Sequence, residues 1–376
     1  VVGRTSVELG IADASVRREF DEARVPEGRV VARRCELKSR GGKTLQVELH
    51  IEPVVFEQIA EIAPEAHVID AGQERVATEL FRADIFCGHA KVPVDWDRVV
   101  RQGRLQWIQS SAAGMDHCLV PSVVTSEIVV TSASGVLADQ VADHTLALLT
   151  ALLRNVPTFL RAQQRREFVR LATRDLHHST IGIVGFGGNG RRLAEVLSAF
   201  KTRILATDYF PIQKPEYVEQ LLPPEQLAAI LPEVDILILA APLTDQTRDL
   251  LGAEQLAALK PGAILINVAR GPLVVEDALA DALESGQLYA AGLDVTYEEP
   301  LAASSRLWNL PNCLITPHVG GQSARRIDQM TDFFCENLRR YLQGQPLRNL
   351  VDKHLGFPRP ATGEQGDGTS PGASRG

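Results

Sequence analysis

Three short segments carry ionisable groups suited to acting together: NVARG at 267–271, LDVTYEEP at 293–300 and TPH at 316–318. Each includes or follows an apolar run that reads as a buried strand, so each sets an ionisable side chain at one edge of a sheet. In open α/β sheets the C-terminal edge is where ligands bind. Arg270 is a permanent cation, able to hold a carboxylate and polarise the carbonyl beside it. His318 is the residue type that passes a proton to and from oxygen near neutral pH. A carboxylate next to the imidazole would orient it and favour its charged form. Glu299 is the candidate, with its neighbour Glu298 as competitor. Hydride transfer to a 2-oxo acid needs such a cation and such a proton donor.

The hydride donor has its own signature upstream, in Ser179 to Asp208, STIGIVGFGGNGRRLAEVLSAFKTRILATD. The apolar run Ile181 to Val184 reads as a buried strand, and Gly185, Gly187 and Gly190 follow with the spacing G-x-G-x-x-G. An amphipathic helix then runs to about Phe200. The first glycine permits a tight turn, the second lets a pyrophosphate approach the backbone, and the third lets helix and strand pack closely. The helix N-terminus favours the phosphate charge. A second strand, Ile204 to Ala206, ends near Asp208, 18 residues past Gly190. There a carboxylate can accept both hydroxyls of an adenosine ribose, which favours NAD over NADP. Strand, glycines, helix, strand and acid in this order make a specific signal, where three glycines alone would be a weak one.

Other candidates are weaker. His177-His178 lacks metal-ligand spacing, and no metal site is expected. His144 reads as a packed, hydrogen-bonded histidine on a helix. Ser110-Ser111 has no accompanying His/Asp pattern of a hydrolase.

The elements that must position these groups follow from the rest of the chain. At 376 residues, 45% hydrophobic and 23% charged, it is long enough for two domains with separate cores. A net charge of -8 argues against general attraction to nucleic acid or anionic membranes. No apolar run approaches the ~18 residues of a membrane span. Cys35, Cys87, Cys118, Cys313 and Cys335 are odd in number and scattered, which reads as free thiols in a reducing, cytoplasmic setting.

From Leu45, strand-like and helix-like segments alternate as a parallel sheet requires. LQWIQSSAAGMDH and IVVTSASG add strands that end in small polar loops, and Asp139 to Asn155 reads as one long helix. After the glycine unit, Asp235 to Ala240, Ala263 to Val268, Leu288 to Asp294 and Leu314 to Thr316 read as further strands. The resulting expectation is an α/β protein with two doubly wound parallel-sheet domains. Residues 155–320 form the Rossmann-type cofactor domain, and 45–154 with 321–352 form a discontinuous, flavodoxin-like substrate domain. The helix Arg325 to Gln343 packs back on the latter. Residues 1–44 are an extension of uncertain structure, and 356–376, rich in Gly, Pro and Ser, a disordered tail. The charge-rich stretch RAQQRREFVR reads first as an exposed face.

Together, GFGGNG with Asp208, APLTDQT, NVARG, LDVTYEEP and TPHVGG make the chain resemble the D-isomer-specific 2-hydroxyacid dehydrogenase family over about residues 45–350. The resemblance implies an NAD(H)- or NADP(H)-dependent enzyme acting on a small 2-oxo or D-2-hydroxy acid. It implies Arg270, Glu299 and His318 as catalytic residues, and favours Glu299, directly before proline, over Glu298. By the same resemblance Gly188 and Asn189 face the pyrophosphate. Val268, Ala269, Arg270 and Asp294 border the nicotinamide, and His318, Gly320 and Gly321 close over the ring. Ala113 and Gly114, in the loop 111–114, receive the substrate carboxylate beside Arg270. The long helix implies a homodimer. Departures from the family pattern include Ala112 and His117 in the substrate loop and Asn189 in the glycine turn.

Within the family, glyoxylate/hydroxypyruvate reductase is the first expectation and D-3-phosphoglycerate dehydrogenase its rival. An NAD(H)-sensing binding protein of corepressor type is the alternative of another class, against which the complete catalytic set argues.

Overall fold

The structure is a computed structural model, and it describes residues 37–38, 44–49, 53–89 and 94–360. Of the expected N-terminal extension, nearly all lies outside the described residues. Two wound sheets, one parallel throughout and one parallel but for a single short strand, are each flanked by helices on both sides.

The first sheet contains β1 (Leu37–Lys38), β2 (Thr44–Leu49), β3 (His67–Ile69), β4 (Ile85–Gly88), β5 (Trp107–Ser110) and β6 (Val129–Thr131). Its path is β1-β2-β4-β5-β6, with β3 also on β2, and every pairing but β1 with β2 is parallel. Setting aside the antiparallel β1, the order β3-β2-β4-β5-β6 is the flavodoxin-like 2-1-3-4-5 arrangement. Between the strands lie α1 (Pro53–Ile62), α2 (Gly72–Glu79), α3 (Trp96–Gln102) and α4 (Pro121–Thr125). Asp95 caps α3 by accepting from the Arg98 amide at 3.0 Å.

The connection to the second sheet is helical. α5 (Ala138–Leu153) buries Val141, Leu148, Leu149, Leu152 and Leu153 along one side. It stops short of Asn155, whose left-handed φ of 55° turns the chain into α6 (Val156–Gln164). The second sheet then comprises β7 (Thr180–Val184), β8 (Arg203–Thr207), β9 (Gln220–Leu222), β10 (Ile236–Leu239), β11 (Ala263–Asn267), β12 (Leu288–Leu293) and β13 (Cys313–Ile315). Their order, β13-β12-β11-β10-β7-β8-β9, is parallel throughout. Its helices are α7 (Gly188–Ser198), the short α8 (Leu227–Ile230), α9 (Ala253–Ala258) and α10 (Glu276–Glu284). Central strands are buried on both faces, which is why they read as unbroken apolar runs rather than alternating ones.

The chain then returns. α11 (Arg326–Gln343) lays Phe334, Cys335 and Leu338 into a core shared with Ile59 of α1 and with Ile85 and Trp107 of the first sheet. Beyond it, β14 (Val351–Asp352) and β15 (Phe357–Pro358) form a small antiparallel hairpin. This corrects the expectation of an unstructured tail from Gly356. Residues 356–360 are ordered because the Gly356 amide donates to the Asp352 carbonyl and Arg359 pairs with the Asp352 carboxylate. Residues 361–376 lie outside the described residues. Among the described residues no helix is long and apolar enough to cross a membrane.

Candidate active site

The glycine turn stands where β7 feeds α7, at the point where the sheet order reverses. Gly185 has φ +93°, and a Cβ there would fall 2.5 Å from the Ala241 amide nitrogen at the end of the neighbouring strand. A Cβ on Gly190 would fall 2.0 Å from the Gly185 carbonyl oxygen, so only glycine lets α7 sit this close to its strand. Gly187 differs: a Cβ there would meet nothing within 4 Å. That open side belongs to a helix whose first turn has no side-chain cap, leaving N–H groups directed at an external acceptor. Asp208, just past β8, accepts from the Phe186 amide at 2.6 Å and the Phe210 amide at 2.8 Å. Its carboxylate is thereby fixed beside the turn. Open space, unspent amides and a tethered acid are what the ribose and pyrophosphate of a dinucleotide require.

Gly188 also marks where the two domains meet. A Cβ on it would fall 2.5 Å from the Cα of Gly135, which lies in the loop after β6 and has φ +78°. The contact is backbone against backbone.

Arg270 follows β11. The buried Asn267 shapes its turn, donating to the Arg270 carbonyl at 3.0 Å and accepting from the Ala269 amide at 3.1 Å. The guanidinium crosses the cleft: Nε donates to Asp116 Oδ1 at 3.2 Å, and Nη1 donates to the Ala269 carbonyl at 2.8 Å. A Cβ on Gly114 would fall 2.1 Å from Arg270 Nη2, so the cation lies directly on the backbone of the loop after β5. Among the described residues the amides of Ala113 and Gly114 donate to no backbone carbonyl. Cation and amides together present donors to an anion.

His318 and Glu299 are joined across two strand ends, with Nδ1 and Oε2 2.8 Å apart. Glu298 is directed elsewhere, lining a separate acidic pocket with Asp249, Glu276 and Asp277. Burial pushes the Glu299 carboxyl up. The hydrogen bond and charge of His318, the Thr296 backbone and the nearby Arg270 together outweigh it and hold the group below its ordinary value of 4.5. Glu299 is therefore a carboxylate near neutral pH and fixes the ring through Nδ1, leaving Nε2 for exchange with a ligand.

His318 itself adopts φ 53°, a conformation non-glycine residues seldom take. Asp294 holds it there. The Asp294 carbonyl accepts from the His318 amide at 2.7 Å, and its buried carboxylate accepts from Val319 at 2.9 Å, Gly320 at 2.7 Å and the Thr316 hydroxyl at 2.7 Å. His144, reaching in from α5, places Nε2 3.1 Å from the same carboxylate and 2.8 Å from Thr316 Oγ1. A Cβ on Gly320 would approach Asp294 Oδ2 to 2.8 Å, which explains the glycine. Asp294 thus organises the loop 316–320.

Sequence reasoning passed over Asp116 and gave Asn267 no role. Asp116 lies in a different domain from Arg270, and no local spacing announces their pairing. A polar residue ending an otherwise apolar strand was the available signal for Asn267.

A glycine turn with a tethered acid, opposite a second wound domain across a cleft holding a cation and a carboxylate-supported imidazole, defines a nicotinamide-dinucleotide-dependent dehydrogenase. Residues 146–320 match the family model described as D-isomer specific 2-hydroxyacid dehydrogenase, NAD binding domain. The glyoxylate/hydroxypyruvate reductase B of Shigella boydii is 32% identical over 320 residues, covering 83% of this chain and 92% of that protein. The glyoxylate reductase of Pyrococcus furiosus is 35% identical over 263 residues, or 67% of this chain and 77% of its own length. Among solved structures, the NADPH-dependent glyoxylate/hydroxypyruvate reductase of Sinorhizobium meliloti, in complex with NADP and sulfate, superposes with a TM-score of 0.71 at 26% identity. That match covers 83% of this chain and 99% of the other. The chain belongs to the D-isomer-specific 2-hydroxyacid dehydrogenase family, and NAD(P) is its cofactor.

Proposed function

We propose that this enzyme reduces a small 2-oxo acid such as glyoxylate or hydroxypyruvate, or oxidises the matching D-2-hydroxy acid, and that it prefers NAD(H). The carrying observation is the 2.8 Å His318–Glu299 pair, with Arg270 close enough to act on the same carboxylate. In this reading Arg270 and the amides of Ala113 and Gly114 hold the substrate carboxylate, and Arg270 also draws electron density from the 2-oxo group. The bound nicotinamide supplies the hydride. His318 delivers the proton from Nε2 to the carbonyl oxygen as it becomes an alkoxide, while Glu299 stabilises the imidazolium beforehand and restores the ring's tautomer afterwards.

Residues 155–320 then serve as the cofactor domain, with Gly185, Gly187, Gly188, Asn189 and Gly190 at the pyrophosphate. Residues 45–154 with 321–352 serve as the substrate domain. The NAD preference rests on Asp208, whose charge would repel a 2′-phosphate. The relatives crystallised with NADP make this a discriminating point.

A homodimer is part of the reading. α6 and the arm after it expose Val156, Leu160, Phe168, Val169 and Leu171, with Phe168 92% exposed. Exposed apolar side chains of this kind are what a second copy would cover. A cytoplasmic setting is also proposed, on the unpaired Cys87, Cys118, Cys313 and Cys335.

The test is a panel of 2-oxo acids assayed for NADH and NADPH consumption with the wild type and His318→Ala. The expected result is turnover on glyoxylate or hydroxypyruvate, higher kcat/KM with NADH, and a loss of roughly 10²–10⁴-fold in the variant. Wild-type turnover by His318→Ala would overturn the assignment.

A further inference from the structure

The C-terminal hairpin, which the catalytic reading leaves without a task, stands at one end of the dinucleotide groove. It is anchored on the substrate side. Lys353 Nζ donates to the carbonyls of Val123, Ser126 and Ile128, and Leu350 bridges Thr131 of β6. Its turn is stapled internally, with Asp352 Oδ1 accepting from the His354 and Leu355 amides and Oδ2 from Arg359. From this base Gly356 and Phe357 reach the other domain. The Phe357 ring lies 5.6 Å from that of Tyr209 and 6.3 Å from that of Phe210, both edge-on, and Tyr209 and Phe210 lie 4.9 Å apart. A Cβ on Gly356 would come within 3.8 Å of Thr244 Cγ2.

These contact points have a meaning in the fold. Tyr209 directly follows Asp208, the residue placed to hold the adenosine ribose. Thr244 belongs to the loop after β10, on the far side of the crevice where strand order reverses. A base attached to a ribose on Asp208 extends into the space between these two loops, and the hairpin touches both. Tyr209 is 44% exposed although it is packed by two other rings, so part of this aromatic residue stays open beside Asp208. Adenine stacks on aromatic side chains.

We infer that Phe357, Tyr209 and Phe210 form an aromatic wall for the adenine of the dinucleotide, with the C-terminal hairpin as its outer side. A hairpin anchored on the substrate domain thereby contributes to cofactor affinity at the end of the cofactor remote from the chemistry. The inference rests on the NAD(H) reading above and deepens it.

Isothermal titration of the full chain with NADH and with ADP-ribose, which carries the adenosine and pyrophosphate but no nicotinamide, tests it. Phe357→Ala is expected to weaken both ligands about tenfold. Phe357→Leu, which keeps apolar bulk in the hairpin, is expected to weaken both as well, and Phe357→Tyr to retain affinity. Melting curves of each variant report whether the hairpin packing has survived. Unchanged affinity in Phe357→Ala and Phe357→Leu would overturn the inference. Tighter binding would also overturn it, since the hairpin would then be obstructing the groove. Failure of the wild type to bind either ligand would instead sink the cofactor reading on which the inference depends.

Discussion

At the scale of single residues, the chemistry rests on two side-chain pairs, Asp116 with Arg270 and Glu299 with His318. Asp116 holds Arg270 by one nitrogen, and Asp116→Asn removes the charge while keeping the shape. The expected outcome is a raised KM for the 2-oxo acid with NADH binding retained, read from substrate-saturation curves beside NADH titrations. Glu299 yields a pH prediction. Its folded value lies below the ordinary 4.5. Its pairing therefore contributes stability that is fully present above about pH 4.5 and is lost as pH falls through the lower folded value. Glu299→Gln should lower the melting temperature near neutral pH, and the gap from wild type should close as melts are taken progressively below pH 4.5. A gap that stays constant with pH would mean that the charge is not what the pair contributes. Arg270, Glu299 and His318 were legible because each ends an apolar run within a distinctive motif. Asp116 and the hub made by Asp294 with His144 were not, since partners 154 and 150 residues apart leave no periodic trace. The Cys118 thiol is quiet by comparison: burial, aided by Asp116, pushes it up to about 12.

Among the elements, the β7–α7 unit separates two kinds of glycine that the motif alone treats alike. Gly190→Ala would drive a methyl into the main-chain carbonyl of Gly185, a clash that no side-chain rotation relieves. A loss on the order of 1–3 kcal/mol is expected, visible as a lowered melting temperature without any ligand. At Gly187 a methyl meets nothing in the protein. Gly187→Ala should melt like the wild type yet bind NADH less well, and equal NADH affinity would show that phosphate does not occupy that side. Strands of the second sheet were readable to within a residue or two because burial on both faces makes them uniformly apolar. β9 was not legible, because Gln220–Leu222 is short and opens on a polar residue, whereas β13, equally half-buried, is wholly apolar. The hairpin's second strand, after Gly356, was hidden for another reason: a composition rich in Gly, Pro and Ser described the segment to Gly376 as a whole and obscured the few residues that pair.

For the whole molecule, the fold class follows from the alternation of strands and helices, but the relation of the two domains follows from contacts no local pattern encodes. The arm at 156–174 is the clearest case, since its charges suggested a solvated face while its exposed apolar residues suggest burial by a second copy. Phe168→Glu should convert a dimer to a monomer in light scattering after size exclusion, with catalytic residues untouched. A wild type that already runs as a monomer would refute the interface.

The backbone contact between Gly135 and Gly188 bears on how such a cleft can move. A body turning about a fixed point displaces its rim most and its axis least. Were the domains to open about this contact, the glycine turn beside it would keep its shape at every angle. Arg270 and Asp116, which face each other from opposite domains, would separate at once. The fulcrum and the phosphate site would then be one place, so that the cleft carries its cofactor at the axle and its chemistry on the jaws.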